Sequence, residues 1–178
     1  MSAPHGALIA PPPGWTTDPQ RISPSVAARL LGVDLADLDA RQDVRAHHVE
    51  AHGRAWSSDI PAVDEAGDYR RLDLLVWAAR LGLYPKKVGG HQVIGYAGIA
   101  ERLGYRGGQY VRKLAMQAEA QPDGIGLPAP VVVINLSPRQ VVLRDWPEVK
   151  RWAIHTSRLD PDGVTPLVKR PRRGPRQQ

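Results

Sequence analysis

Four polar side chains suited to nucleic-acid chemistry recur at helical spacing in the second half of the chain: Gln109, Arg112, Lys113 and Gln117. Arginine and lysine bind phosphate oxygens, while arginine and glutamine also hydrogen-bond to pairs of groups on base edges. The other side of the same segment carries Tyr110, Val111, Leu114 and Ala115. We therefore predict a helix within residues 106–118 that buries its apolar side and presents a cationic side, with Arg106 in the turn before it.

A shorter helix is predicted immediately before this segment. Apolar residues stand at positions 96, 99, 100 and 103, which places them on one helical face, and Gly104 follows where the chain must turn sharply. Ala100 is small, as is required where a second helix crosses closely. Two short helices joined by a glycine turn are typical of a helix-turn-helix, in which the exposed side of the second helix is free to enter a groove.

Two strands and a final helix are predicted farther along the chain. Residues 131–134 form a β-branched run suited to a buried strand, and residues 141–143 supply the return strand after a polar connection. A helix from about Pro147 to His155 follows, because proline suits a first helical turn and Glu148 suits the positive N-terminal end. We expect this helix to bury Trp146, Val149 and Trp152.

This pattern resembles the winged helix-turn-helix of the MerR-like and excisionase-like families, most clearly over residues 94–153. The resemblance is carried by Ile-Ala-Glu-Arg-Leu-Gly at 99–104, by Leu-Pro-Ala-Pro at 127–130, and by Val141 to Trp152. In those families the helix after the glycine reads the major groove, and the hairpin tip, called the wing, touches the backbone or the minor groove. The resemblance implies DNA contacts from Arg106, Gln109, Arg112, Lys113, Ser137, Arg139 and Gln140. The families usually have Ser or Thr just past the turn, where this chain has Arg-Gly-Gly.

A weak internal repeat indicates that this unit occurs twice. Residues 27–33 match 99–105, and two later pairs of blocks, 60–62 with 127–129 and 73–78 with 148–153, follow in the same order. Their offsets are 72, 67 and 75 residues. Conserved order with varying loop lengths is typical of duplication. We therefore predict a mainly α fold with short β-hairpins, arranged as two tandem small winged helix-turn-helix domains with a degenerate first copy over residues 22–83.

The turn and proline signals predict five segments along the chain. These are a flexible proline-rich leader at 1–20, a degenerate winged helix-turn-helix at 21–85, a linker at 86–93, the clearer winged helix-turn-helix at 94–158, and a basic disordered tail at 159–178.

The first copy is less suited to phosphate than the second. Its second helix, expected from Leu35 to Val49, is accompanied by four aspartates, at 34, 37, 39 and 43, which are poor neighbours for a polyanion. Suitable contacts on and after this helix are Arg41, Arg45, His47, His48, Arg70 and Arg71. Two interpretations stay open: a second DNA-reading domain with weaker backbone attraction, or a retained fold now used for protein contact.

Charge is distributed unevenly along the chain. Residues 1–90 hold 10 Lys/Arg against 11 Asp/Glu, whereas residues 91–178 hold 14 against 7, within a net charge of +6. The second half is therefore where a polyanion should bind. The C-terminal tail offers Lys169, Arg170, Arg172 and Arg173. These cations suit either contact with phosphates or a minor groove, or a purely solubilising role.

Several chemistries are excluded or disfavoured by the sequence. The absence of cysteine excludes disulfides and thiolate metal sites, and no apolar run approaches the roughly 18 residues that span a bilayer. His48 and His52 share a helical face but lack a known zinc spacing. No nucleophile grouping or phosphate-binding loop is visible. We expect a cytoplasmic, nucleoid-associated protein that is not an enzyme, with no cofactor, no metal and no membrane contact.

The sequence therefore favours a sequence-specific protein that binds double-stranded DNA. Its role is expected to be that of a transcriptional regulator, or of an excisionase, the recombination directionality factor of a phage or mobile element, which contacts an integrase or other recombinase. A different class stays open. In that alternative the chain is an adaptor whose helical domains hold a protein partner, and the basic tail gives only non-specific nucleic-acid affinity.

Overall fold

The computed structural model describes residues 8–120, 126–137 and 139–167, which contain six helices and six short strands. The helices are α1 (Pro24–Leu31), α2 (Leu35–His52), α3 (Arg71–Arg80), α4 (Tyr96–Arg102), α5 (Gly108–Ala120) and α6 (Trp146–His155). The strands are β1 (Arg21–Ile22), β2 (Tyr69–Arg70), β3 (Lys87–Val88), β4 (His91–Ile94), β5 (Val132–Leu136) and β6 (Arg139–Asp145). The predicted mixture of helices and short antiparallel strands is confirmed. The overall class is mixed α/β rather than mainly α, because the hairpin strands belong to a larger sheet.

The chain folds as two compact units. One comprises Ala10–Val88 together with Val133–Val141, and the other comprises Gly89–Val132, residues 142–167 and residues 8–9. For clarity they are named the α2 unit and the α5 unit after the helices they contain. The chain leaves the α2 unit between Val88 and Gly89, inside the segment 86–93.

The strands form two antiparallel sheets. In the smaller sheet β1 pairs with β2, and Ile22 lies opposite Tyr69. The larger sheet has the strand order β3-β4-β6-β5, and in it Ile94 of β4 lies opposite Arg144 of β6. Strand β1 leads into α1 and its partner β2 leads into α3. In the same way β4 leads into α4 and its partner β6 leads into α6. The predicted strands at 131–134 and 141–143 correspond to β5 and β6.

The segment predicted as a linker is instead a tight hairpin. Residues 86–93 contain β3 and the first three residues of β4. Gly89 and Gly90 lie between the strands and both have positive φ, 54° and 84°. A two-residue turn that matches the twist of antiparallel strands needs this left-handed conformation at both positions, and glycine adopts it without a steric penalty.

The α5 unit has a core built from the apolar faces that the sequence predicted. Ile99 and Ala100 of α4 and Leu103 just after it pack with Val111 and Ala115 of α5, and α6 adds its buried residues to the same cluster. Those of α6 are Val149, Trp152 and Ala153. Helical periodicity is enough to predict these faces, because each helix buries one stripe and exposes the rest.

The α2 unit recruits a residue from the segment predicted as a flexible leader. Trp15 is only 2% exposed, and its indole Nε1–H donates to the Leu30 carbonyl at 3.2 Å. The chain contains no Phe, so a tryptophan ahead of β1 supplies much of the aromatic area that a small core needs. The expectation of a flexible segment over 1–20 is therefore wrong for the residues around Trp15, while residues 1–7 lie outside the described part.

The two units repeat the same helix endings. After α1 the N–H of Val33 donates to the carbonyl five residues earlier at 3.1 Å, and after α4 the N–H of Tyr105 does the same at 2.8 Å. The two donors are 72 residues apart, as in the sequence repeat. In both turns the preceding glycine has a left-handed φ, 67° at Gly32 and 73° at Gly104. The chain thus leaves both helices by the same hydrogen-bonded route.

The closing helices α3 and α6 also end alike. The N–H groups of Leu83 and Arg158, which are 75 residues apart, each donate to the carbonyl five residues earlier, at 2.9 and 2.7 Å. The residue before each donor has a positive φ, 70° at Gly82 and 54° at Ser157. The order strand, helix, helix, strand, helix therefore recurs with matching caps, and β5 is an additional strand in the second occurrence.

The chain after α6 is ordered for longer than predicted. Leu159 is buried, and the N–H of Asp160 donates to the Thr165 carbonyl at 2.9 Å, which closes a turn. The predicted disordered tail at 159–178 therefore begins with a folded turn, and residues 168–178 lie outside the described part. No helix among the described residues is long and apolar enough to cross a membrane.

Candidate nucleic-acid interface

The start of α5 is set by a close approach to α4. A Cβ atom added at Gly108 would lie 3.0 Å from the backbone nitrogen of Ala97 and 3.1 Å from the carbonyl carbon of Tyr96. Backbone atoms cannot move aside as a flexible side chain does, so only glycine fits here without displacing one helix. This contact accounts for a glycine at position 108, whereas a Cβ atom added at Gly107 would meet nothing within 4 Å.

The outer side of α5 gathers the predicted polar residues. Gln109, Arg112, Lys113 and Gln117 are all exposed, and Arg106 is exposed in the turn that precedes the helix. In the part of the chain that the structure describes, none of these three cations has a carboxylate within ion-pair distance. Helix α5 and the turn before it therefore carry three positive charges that no described carboxylate compensates, beside two side-chain amides.

Tyr110 departs from its predicted burial. It is 47% exposed, and its ring centroid lies 4.7 Å from that of Tyr105 at an interplanar angle of 56°. Tyr110 precedes Lys113 by three residues and Gln117 by seven, so it shares their side of the helix. Met116, which sequence reasoning missed, is 61% exposed. Its position seven residues after Gln109 was the available signal, because that spacing repeats one helical face.

The wing residues belong to the other compact unit. Ser137, Arg139 and Gln140 are exposed, and contacts assign Val133–Val141 to the α2 unit. Ser137 lines a surface cavity of about 300 Å³ together with Asp59, Asp73 and Trp77. The Gln140 Nε2–H donates to the Asn135 side-chain carbonyl at 3.0 Å across the hairpin. The structure therefore places the wing tip beside carboxylates of the α2 unit.

Two of the predicted contacts in the first copy have structural roles. The Arg71 guanidinium donates to the Gln20 side-chain carbonyl at 2.9 Å and lies 3.4 Å from the Asp18 carboxylate. His48 Nδ1 lies 2.9 Å from the Asp59 carboxylate. The polar groups of Arg71 and His48 are thus largely used in hydrogen bonds to residues that are distant in the sequence. The spacing of residues along the sequence does not reveal such partners.

The His48 and Asp59 pair is supported by an aromatic stack. The imidazole ring lies 3.8 Å from the Trp56 ring at 17°, and the Trp56 N–H donates to the Asp59 carboxylate at 2.7 Å. Burial raises the pKa of Asp59, but the hydrogen bonds from Trp56 and His48 and the charges of His48 and Arg45 outweigh it and lower that pKa below its usual value. This cluster stabilises the loop after α2.

The remaining predicted cations of the α2 unit are only partly free. The Arg41 guanidinium lies 5.5 Å from the centroid of the Trp77 ring, within the range of a cation–π contact. Arg45 is half-buried. Arg70 is exposed and lies 3.9 Å from Asp73, three residues away. The α2 helix also exposes its aspartates at 37, 39 and 43, so its outer side is not electropositive as that of α5 is.

A buried arginine holds β6 in place in the α5 unit. Arg144 is 2% exposed, its Nε–H donates to the Pro128 carbonyl at 2.7 Å, and its guanidinium lies 4.9 Å from the centroid of the Tyr96 ring. The sequence does not predict this role, because an arginine in a strand is ordinarily expected to face solvent. Its contacts join β6 to the chain before β5 and to the start of α4.

Lys169, Arg170, Arg172 and Arg173 lie outside the described residues. Within 8–120, 126–137 and 139–167, no group of three or more His, Asp or Glu side chains is arranged to hold a metal ion. The chain was also compared with protein-family models, with curated proteins and with solved structures. None of them matches it.

Proposed function

We propose that the chain is a sequence-specific protein that binds double-stranded DNA. In this proposal α4, its glycine turn and α5 act as a helix-turn-helix. The observation that carries the proposal is the outer side of α5 with the turn before it, where Arg106, Arg112 and Lys113 are exposed beside Gln109 and Gln117 and no described carboxylate pairs with them. A helix with such a side matches the width and the charge of a major groove.

In the proposed mechanism some side chains bind phosphates and others contact bases. Lys113 and Arg106 are proposed to bind phosphates, which positions the helix and makes affinity fall steeply with salt. Gln109 lies in the first turn of α5, the part of a recognition helix that reaches base edges, and Arg112 follows one turn later. A bidentate arginine favours guanine and a bidentate glutamine favours adenine.

The recurrence of strand order and helix caps supports a duplicated unit, and we propose that both copies descend from one winged helix-turn-helix. The biological role we propose is that of a transcriptional regulator, or of an excisionase that works with a recombinase of a phage or mobile element. A basic second half and a recurring helix arrangement suit either role, and the DNA site distinguishes them by its genomic position.

A second candidate is an adaptor that holds a protein partner. It is favoured by the α2 unit, where Arg71 and His48 are engaged in structural contacts and the aspartates of α2 are exposed. In this role the α5 unit supplies only sequence-blind attraction to nucleic acid.

The test is selection of binding sites from randomised duplex DNA at about 150 mM salt, where non-specific attraction is moderate. We expect an enriched motif for the full chain and loss of enrichment in an Arg112→Ala, Lys113→Ala double variant. Arg151→Ala removes an exposed cation of α6 in the same unit and is the matched control. Enrichment over two helical turns supports two reading domains, and enrichment over one turn supports α5 alone. No enrichment contradicts the proposal and favours the adaptor.

A further inference from the structure

The side of α5 proposed to face DNA contains the aromatic ring of Tyr110, which packs against the ring of Tyr105. Tyr110 is the third residue of α5 and is exposed over 47% of its surface. The rest of its ring packs against Tyr105 at 4.7 Å. An exposed aromatic ring that does not complete the core of its own domain is typical of contact surfaces.

The ring that supports Tyr110 is itself anchored. The Arg158 Nη1–H donates to the Tyr105 hydroxyl at 2.7 Å, and the same guanidinium lies 5.0 Å from the centroid of the Trp152 ring. Trp152 is buried in the core of the α5 unit. A chain of contacts therefore runs from the core to Tyr110 and limits the positions that its ring can take, which reduces the entropy lost when a partner binds.

The neighbours of Tyr110 define where its exposed edge points. Lys113 and Gln117 follow at three and seven residues, so all three side chains rise from one side of α5. A partner that engages these polar groups must also meet the tyrosine ring. In the major groove the one apolar group that the bases display is the 5-methyl group of thymine.

We propose that Tyr110 contacts the 5-methyl group of a thymine, so that the preferred DNA site contains a T·A pair at that position. The inference rests on the proposed function and adds a base preference to it. Apolar contact with the methyl removes both surfaces from water, whereas cytosine presents a hydrogen at the same place. Tyr110 thus selects a base by shape and hydration, while the polar residues beside it select by hydrogen bonding.

The test uses the duplex recovered by the selection described above. Each thymine is replaced in turn by deoxyuridine, which keeps the pairing and removes only the methyl group. For the unsubstituted chain we expect one position at which the replacement weakens binding about fourfold, the factor that follows from exposing one methyl-sized group. Tyr110→Phe keeps the ring and loses the hydroxyl, so it should show the same fourfold effect.

Tyr110→Ala removes the ring and should bind the thymine and deoxyuridine duplexes equally at that position. Val164→Ala, a change at an exposed apolar side chain of the α5 unit that lies outside α5, is the matched control and should keep the fourfold effect. Thermal unfolding of each variant checks that it folds. If Tyr110→Ala does not fold, Tyr110→Gln replaces it, because glutamine is a good helix former that also lacks the ring.

The outcomes separate this inference from the function on which it rests. If no duplex is enriched in the selection, the proposed function fails and the inference falls with it. If a duplex binds specifically but no thymine is sensitive to loss of its methyl, DNA binding stands and the tyrosine contact is wrong. If one thymine is sensitive and stays so in Tyr110→Ala, another side chain makes the contact, and the proposal is overturned.

Discussion

Replacement of Trp15 tests whether the segment before β1 is part of the fold. The side chain is 2% exposed and hydrogen-bonded to the Leu30 carbonyl. A buried tryptophan removes roughly 150–250 Å² from water. At about 25 cal/mol per Å² this amounts to ~4–6 kcal/mol as an upper bound, because the unfolded chain already shields part of that surface. We therefore expect Trp15→Ala to lower the free energy of unfolding of the α2 unit by ~3–5 kcal/mol.

The assay is denaturant unfolding followed by circular dichroism, with each transition fitted separately because the chain has two compact units. Trp56→Ala is the control, since it also removes one tryptophan from the α2 unit. Trp56 is 50% exposed and stacks on His48 at 3.8 Å, so it removes about half as much area from water as Trp15 does. Its loss should therefore lower the free energy of unfolding by roughly half as much, ~1.5–2.5 kcal/mol. Equal losses from the two variants would refute the docking of Trp15.

Three further predictions concern the charged groups. Arg112→Ala should weaken binding to the selected DNA site by ~1–3 kcal/mol if the side chain reads a guanine, measured against random duplex of the same length; equal losses on both would assign it to the backbone. Removal of residues 169–178, which hold five cations, should reduce the slope of log affinity against log salt, and an unchanged slope would mean that the tail stays off the DNA. The pKa of Asp59 is lowered in the fold, so its stabilising contribution is present above the unfolded pKa of about 3.9 and is lost as pH falls through the lower folded value. Asp59→Asn should therefore flatten the acid side of the stability profile, and an unaltered profile would contradict the contacts of Asp59.

The helices and their buried faces were predictable because they depend on local spacing. Leu103, Val111 and Val149 stand at positions that any amphipathic helix buries, and all three are in the core. Gly104 marks its turn for the same local reason, since few other residues adopt a left-handed φ without strain. The hairpin β5–β6 was likewise visible as two β-branched runs around a polar connection.

The side chains with tertiary partners were not predictable in this way. Arg71 meets Gln20 from 51 positions away, and His48 meets Asp59 across a loop. A sequence pattern shows that these residues are polar but not that their hydrogen bonds are already used. Tyr110 lies at the border between the two sides of α5, where a small rotation of the helix decides exposure. Its packing against Tyr105 determines that rotation. This contact depends on the conformation of the turn between α4 and α5, which the sequence pattern does not specify.

The segment before β1 is fixed by one side chain, which its composition does not reveal. Prolines at 11–13 indicate irregular backbone, but an irregular backbone is not necessarily mobile. Proline in fact lowers the entropy of the unfolded chain, so a proline-rich segment is easily held by one large anchor such as Trp15.

The endings of α3 and α6 share a backbone conformation although their residues differ. Gly82 and Ser157 occupy the same place and adopt the same left-handed backbone, although serine is strained there by roughly 1 kcal/mol. The backbone hydrogen bonds that follow each residue are the same, and they hold the turn whatever side chain it carries. If the units share an ancestor, their common origin is preserved better in the backbone hydrogen bonds than in the side chains. Most substitutions change a side chain and leave the backbone N–H and C=O groups in place. Residue identity between the two units therefore understates how similar their backbone conformations are.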